Sequence, residues 1–371
     1  MYRFNKIGKR GGRNKNALYL CFLDLVKAFD KVPREYLFRK LYQIGISGKM
    51  LRVIQDMYTG NKATVLVDNC LTREFEIHSG VLQGSKLGPL LFLVFINDML
   101  TDLQKSGLGA KIGNLSISCL GFADDVVLTA ETPANLQLLI DKCECWAKKN
   151  LMEFNISKCE IMILNRPALD LKFSIYNKEL SVVNRYKYLG IEISNKNQTN
   201  LYIEHFKKTI EKAKQRLHCI SHYGFHRDGL KPETAMKLYK LMVRPILEYG
   251  AQVLTYQKYF LKSSVDIPKC LNKLTVFEEK LEHLQTQALK TLIGCPKSTS
   301  PAIVRLFSGV EPFKSRLDML KLRYFWKLNH LNDMSMTSRV FQHRRKYFLS
   351  ATNGFMHEVF NLCCKYDAID I

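Results

Sequence analysis

Three carboxylates are the residues of this 371-residue chain best placed to do chemistry together. Asp124 and Asp125 are adjacent. With Ala123 they form a polar pinch between two apolar runs, LSISCLGFADDVVLTA, Leu115 to Ala130. Runs so rich in Leu, Ile, Val and Phe read as short buried strands, and so brief a break between them reads as a β-hairpin turn. Alone, an Asp-Asp pair suits a solvated turn for local reasons. A second apolar run, LYLCFLDL, reaches Asp24 a hundred residues upstream of Asp124. If the two strands are neighbours, Asp24, Asp124 and Asp125 share one rim of a sheet. Three like charges do not stay ionised together cheaply: one carboxyl takes a proton unless a cation neutralises the group. Oxygen ligands suit Mg²⁺, which keeps waters and substrate phosphates in its shell. Two such ions ~4 Å apart stabilise the attacking and leaving oxygens of an in-line displacement. The chemistry indicated is nucleotidyl transfer or phosphodiester hydrolysis.

The elements that must position these residues follow in chain order. Tyr19 to Leu25 reads as a strand that hands over to a helix from Lys27. Glu35 to Ile44 and Lys49 to Tyr58 read as amphipathic helices, and Ala63 to Val67 with Arg73 to Ile77 as a hairpin or edge strands. The glycine-punctuated loop GVLQGSKLG precedes Pro89, well suited to open a helix. That helix, Leu90 to Leu100, is apolar all round and is expected to be buried. Pro133 to Lys149 reads as a helix, Glu160 to Leu164 as a strand, and Lys172 to Ile193 as two or three short strands. Such irregular interleaving favours an α+β fold with an antiparallel sheet over βαβ repeats. After about Ser194 the pattern turns helical: an apolar stripe from Ile203 to Ile220, a helix from Glu233 to Tyr249 that Pro245 should break, and helices over Val276 to Ile293 and Pro312 to His330.

Composition narrows the partner. With 47% hydrophobic and 24% charged residues the chain is globular, and 56 Lys+Arg against 34 Asp+Glu leaves a net charge of +22. Folding does not need that excess, and a polyanion, nucleic acid before membrane, is the expected partner. Eleven cysteines, odd in number and scattered through apolar runs, suit reduced thiols in an intracellular protein, in nucleus or cytoplasm. The apolar run Ala17 to Leu23 is too short and too quickly followed by Asp24 to be a signal peptide, and no run spans a bilayer, so no membrane association is expected.

Five ordered segments carry a resemblance. FLDLVKAFDKVPR, GVLQGSKLGPLLFLVFINDM and FADDVVL resemble the first three palm motifs of reverse transcriptases of non-LTR (LINE-like) retrotransposons. NISKCEIMIL and YKYLGIEIS resemble the two motifs that follow. LYKLMVRPILEYGAQV and LQTQALKTLIGCPKSTS resemble the thumb region, so the likeness runs from Lys15 to about Leu328. The resemblance implies an RNA-directed DNA polymerase that uses an RNA template, a DNA primer, dNTPs and two Mg²⁺ ions, with Mn²⁺ able to substitute. It implies Asp24 and Asp124 as main metal ligands and Asp125 as an auxiliary one. Lys158 is implied as general acid for the pyrophosphate leaving group, and Phe29 as the ring that crowds a ribose 2′-hydroxyl. Gln83 and Gly84 are implied to line the nucleotide and template base, and Tyr188, Leu189 and Gly190 to form the turn that grips the primer end.

The domains expected are a palm over 1–195 with its N-terminal fingers truncated, a helical thumb over 196–300 and a helical tail over 301–371. Three roles also have plainer readings: Phe29 as core packing, Asp30 as a residue bonded to backbone or a basic neighbour, and Asn97 and Asp98 as the end of a helix. Two other functions fit the same chain, a catalytically inactive nucleic-acid-binding protein derived from a retroelement and an intron-maturase-like protein. His218, Cys219, His222 and His226 cluster within nine residues, but without a CxxC pair they read as structural before zinc-binding.

Overall fold

The strand Leu18–Leu23 (β1) is buried at all six positions, which explains its unbroken apolar run: it is the middle of a sheet covered on both faces. The computed structural model describes residues 17–165, 171–195, 202–222, 231–254, 276–333, 335–346 and 354–366. The arm over Met1 to Asn16 and His226 lie outside the described residues. Two compact units divide the chain, one running to Tyr186 and the other starting at Lys187.

In the first unit, β1 is followed by turns over residues 26–31, with Lys27 at φ +46°, and not by the expected helix. Helices Arg34–Gln43 (α1) and Gly48–Asp56 (α2) come next. The expected edge hairpin forms as two-residue ladders, Lys62–Ala63 (β2) with Phe75–Glu76 (β5) and Leu66–Val67 (β3) with Cys70–Leu71 (β4). Helix Gly88–Lys105 (α3) outruns its expected end. It buries Leu91, Phe92, Phe95, Ile96, Met99 and Leu103, yet Leu90 and Leu93 are exposed, so it is amphipathic and not buried all round. Asp98 lies inside this helix. Its carboxylate accepts from Lys40 Nζ at 3.0 Å and Trp146 Nε1 at 2.9 Å, tying α1 and α3 to helix Pro133–Lys149 (α4).

Between α3 and α4, Ala110–Ile112 (β6) and Leu115–Ile117 (β7) pair as one hairpin, and Cys119–Phe122 (β8) and Asp125–Ala130 (β9) as the next. The long apolar run therefore serves two hairpins, divided at Ser118. Glu160–Leu164 (β10) lies on the other side of β1. Ser174–Ile175 (β11) and Lys178–Glu179 (β12) pair with each other, and Ser181–Val182 (β13) closes the main sheet. The order is β13-β10-β1-β9-β8, antiparallel except for the short β10–β13 edge.

The strand Arg185–Tyr188 (β14) crosses the division at Tyr186 and pairs with Ile191–Ser194 (β15), after which the second unit becomes helical as its 3.6-residue stripe requires. Ile203–Ser221 (α5) buries Phe206, Ala213 and Ile220. Pro232–Leu238 (α6) passes through a π-helical turn, Tyr239–Val243, into Arg244–Glu248 (α7), which restarts with Pro245 at its head; a proline without an N–H forces that break. Val276–Ile293 (α8) stops at Gly294, φ +74°. Pro301–Ser308 (α9), Phe313–Asn329 (α10), Met336–Arg345 (α11) and Gly354–Lys365 (α12) follow. Phe325, Phe341, Phe355, Met356 and Val359 form a small core of their own between α10, α11 and α12. No described helix is long and apolar enough to cross a membrane.

Candidate active site

Sheet register brings the distant carboxylates together. β1 pairs with β9 so that Leu23 faces Val126, which carries Asp24 to the level of Asp125 one step further on. β8 pairs with β9 so that Phe122 faces Asp125, leaving Ala123 and Asp124 as a two-residue tip with Ala123 at φ +51°. The hairpin read from the sequence is thus the element that lifts the Asp pair beside the end of the central strand. The pair does sit at a turn, as the plainer reading has it, but not in isolation: burial, then the charges of Asp124 and of Asp24, push the Asp125 carboxyl above its ordinary range.

Lys158 belongs to the same cluster. It ends a short 3₁₀ turn, Ile156–Lys158, before β10, and its Nζ is 3.3 Å from Asp24 Oδ2. The turn is anchored to the end of β1 by Asn155 N–H donating to Asp24 O at 2.8 Å. Tyr186 stacks on Phe22 at 3.7 Å between ring centroids, and its hydroxyl is pushed up to about 12 by burial and by the charges of Asp125, Glu160 and Asp24.

Among the described residues no three or more His, Cys, Asp or Glu side chains form a group that could hold a metal ion, so Asp24, Asp124 and Asp125 do not converge as a ready three-carboxylate site. Mg²⁺ needs no such cage, because one or two carboxylates plus substrate phosphates complete its shell. Asp124 and Asp24, whose charges push up the Asp125 carboxyl beside them, are the kind of oxygen donors that fit a hard divalent cation. His218 and His222 form no zinc site with described neighbours: their rings pack edge to face at 4.2 Å, and His222 Nδ1 bonds the His218 carbonyl at 2.9 Å. The ten described cysteines are all free; burial pushes the thiols of Cys21 and Cys143 well up, and that of Cys119 to about 12.

A second group forms around the loop that enters α3. Gln83 Nε2 donates to Asp30 Oδ1 at 2.7 Å, so the partner of Asp30 is this glutamine and not the expected backbone or basic group. Ser79 Oγ donates to the Asp30 carbonyl at 2.9 Å. Gly80, φ +88°, lies so close to the Asp30 backbone that a Cβ would come within 2.6 Å of its oxygen; only glycine fits there. Arg34, not singled out from sequence, fastens the loop: its guanidinium donates to the carbonyls of Tyr58 and Ile77, both at 2.7 Å, and of Gly80 at 3.1 Å. Its position in VPREYL looks like an ordinary first helical turn, and nothing in the spacing marks carbonyls more than twenty residues away. Gly84 is also left-handed, φ +81°, with open space where its Cβ would be. Phe29 is half-buried and stacks on Phe92 at 4.6 Å, so the core-packing reading is satisfied in part.

In the second unit, Tyr188, Leu189 and Gly190 form the turn between β14 and β15, with Tyr188 buried and Leu189 and Gly190 at φ +46° and +76°.

A cluster of acids with a lysine beside it, at the end of a central strand, is of the kind that phosphoryl-transfer chemistry requires. Residues 2–193, more than half the chain, match the family described as reverse transcriptase (RNA-dependent DNA polymerase), and the chain belongs to that family. Among curated relatives, the RNA-directed DNA polymerase from mobile element jockey of Drosophila funebris is 30% identical over 74% of this chain and 28% of its own length. The Pol polyprotein from type-2 retrotransposable element R2DM of Drosophila melanogaster is 32% identical over 47% of this chain and 18% of its own. The chain therefore spans well under half the length of these relatives. Apo telomerase from Candida tropicalis aligns over 97% of this chain and 55% of its own at 12% identity and a TM-score of 0.46, a likeness too slight to build on.

Proposed function

We propose that the chain is the palm and thumb portion of an RNA-directed DNA polymerase of a non-LTR retroelement. It would extend a DNA primer 3′-hydroxyl with deoxynucleoside triphosphates on an RNA template. The observation that carries this reading is the register that sets Asp24 level with Asp125 at the hairpin tip, within a chain of reverse transcriptase family membership. The retroelement names of the relatives support the non-LTR type. The net charge of +22 supports a nucleic-acid partner. The domain division follows the same reading: palm to residue 195, thumb to 300, tail beyond.

Asp24 and Asp124 would hold two Mg²⁺ ions, with Asp125 auxiliary and Mn²⁺ acceptable. Bound there, the ions would neutralise charge on the attacking and leaving oxygens of the displacement. Lys158 would act as the general acid, passing a proton from Nζ to pyrophosphate as the bond from the α-phosphorus breaks. The Phe29 ring, fixed against Phe92, would exclude a ribose 2′-hydroxyl. Gln83 and Gly84 would line the nucleotide and template base, and the turn Tyr188–Leu189–Gly190 would meet the primer end.

A second reading, a nucleic-acid binder without catalysis, is favoured by one observation: Asp24 already has a cationic partner in Lys158, 3.3 Å away. Primer extension on a primed RNA template with Mg²⁺ separates the two. Incorporation by the wild-type chain that Asp124→Ala abolishes supports the polymerase; salt-sensitive binding with no incorporation supports the binder.

A further inference from the structure

We infer that Tyr249, outside every palm motif, is a positioning residue that fixes the shape of the turn Leu189–Gly190. Its hydroxyl donates to the Leu189 carbonyl at 2.7 Å across sixty residues of sequence. Its ring lies flush against Gly190: a Cβ there would come within 3.0 Å of Cε1 and 3.1 Å of the hydroxyl. The next residue repeats the contact one position along. Gly250, φ +76°, sits so close to Ile191 that a Cβ would meet Cδ1 at 2.7 Å. Two consecutive residues after α7 are therefore moulded onto two consecutive residues of the turn and β15.

The clamp has firm footing. Glu248, just before Tyr249, accepts from Arg316 Nε at 2.7 Å and Nη2 at 3.1 Å, a forked pair that ties the end of α7 to α10. His205 of α5 bonds the Tyr249 backbone, and its Nδ1 accepts from the Glu192 N–H of β15 at 3.4 Å. The turn needs such support. Leu189 is a γ-branched residue held at φ +46°, a conformation L residues avoid and that persists when its surroundings fix it. A hydroxyl on its carbonyl and an aromatic face against its neighbour determine both peptide planes.

This assignment rests on the proposed role of the turn at the primer end. Given that role, Tyr249 sets where a recessed 3′ end is seated and makes no contact with the reacting atoms itself. The substrate feature recognised is the junction of a primer terminus with its template strand, as opposed to duplex in general.

The test compares the full chain with Tyr249→Phe, which removes the hydroxyl and keeps the ring. Anisotropy gives affinity for a recessed DNA primer on RNA template, for a blunt duplex of the same length and for the unprimed RNA. Loss of one hydrogen bond predicts a roughly three- to tenfold weaker preference for the recessed end. Blunt-duplex and unprimed affinities and the melting temperature should not change. Equal preference in the variant and wild type overturns the assignment, as does a uniform fall in all three affinities with a lowered melting temperature. Because the readout is binding, it stands apart from incorporation: a wild-type chain that prefers recessed ends through Tyr249 but adds no nucleotide would sink the polymerase reading alone.

Discussion

Lys158 Nζ lies 3.3 Å from Asp24 Oδ2, although 134 positions separate the two residues. The Lys158 side chain is 64% exposed, so the pair contributes little to folding, less than about 1 kcal/mol. In the proposed reaction Lys158 is the proton donor held at the acid cluster. Lys158→Ala should leave the melting temperature near wild type and lower single-turnover incorporation by about 100-fold or more, the usual worth of a general acid. A rate within threefold of wild type would remove Lys158 from the chemistry.

Asp125 predicts a pH effect on the metal-free chain. Its folded pKa is raised, by burial first and then by Asp124 and Asp24. The folded state thus holds its proton more tightly than the unfolded state. The contribution to stability is fully present below the unfolded value of 3.8 and is lost as pH rises through the folded value. At neutral pH the ionised carboxylate is a cost. Asp125→Asn should therefore melt higher than wild type at pH 7 in a chelator, and the advantage should shrink as pH falls toward 4. A gap that widens on acidification would contradict the placement of Asp125 among like charges.

Asp30 should act through Gln83. With the amide nitrogen donating to Asp30 Oδ1, the amide oxygen is turned the other way. Asp30→Ala frees the side chain and should raise the KM for dNTP severalfold with kcat changed less. The exposed hydrogen bond adds only about 1 kcal/mol to stability. Steady-state incorporation against dNTP concentration reads the split, and an unchanged KM would leave Asp30 as a loop brace only.

The tail offers a prediction independent of catalysis. Lys321 Nζ is 2.6 Å from Glu358 Oε2, with both side chains almost wholly buried between α10 and α12. Beside them Asp318 accepts from Lys365 and the Tyr366 hydroxyl. Glu358→Ala removes the carboxylate paired with a buried ammonium and should cost about 3–5 kcal/mol in denaturant unfolding, whereas Lys321→Met with Glu358→Leu should cost far less. Equal losses from both would mean the charge is not what holds α12.

Where a sequence signal is local, structure and sequence agree. Pro133 to Lys149 is bounded by a Thr132 cap and Pro133, Val276 to Ile293 by Gly294, and β1 and β10 are unbroken apolar runs. The acid cluster was legible because one apolar strand runs into Asp24 and a short hairpin turn between two others carries Asp124 and Asp125. What stayed hidden depends on tertiary partners. Lys27 is left-handed, so AFDK turns where its composition suits a helix. Leu90 and Leu93 face outward because no element covers that side of α3 among the described residues, and hydropathy alone does not report coverage. Asp30 and Gln83 lie 53 positions apart, Tyr249 and Leu189 sixty; no periodicity links such pairs. Helix Pro301–Ser308, eight residues long, carries Ile303, Leu306 and Phe307 on its exposed side and so breaks the pattern that marks a buried stripe.

The central claim is that Asp24 and Asp124 hold one divalent centre together. Electron paramagnetic resonance of Mn²⁺ measures it directly, on the chain bound to an RNA template, a 3′-deoxy-terminated primer and the matching dNTP. Asp24→Ala and Asp124→Ala should each weaken Mn²⁺ binding at least tenfold while the nucleic acid stays bound. Wild-type Mn²⁺ affinity in either variant would contradict the account.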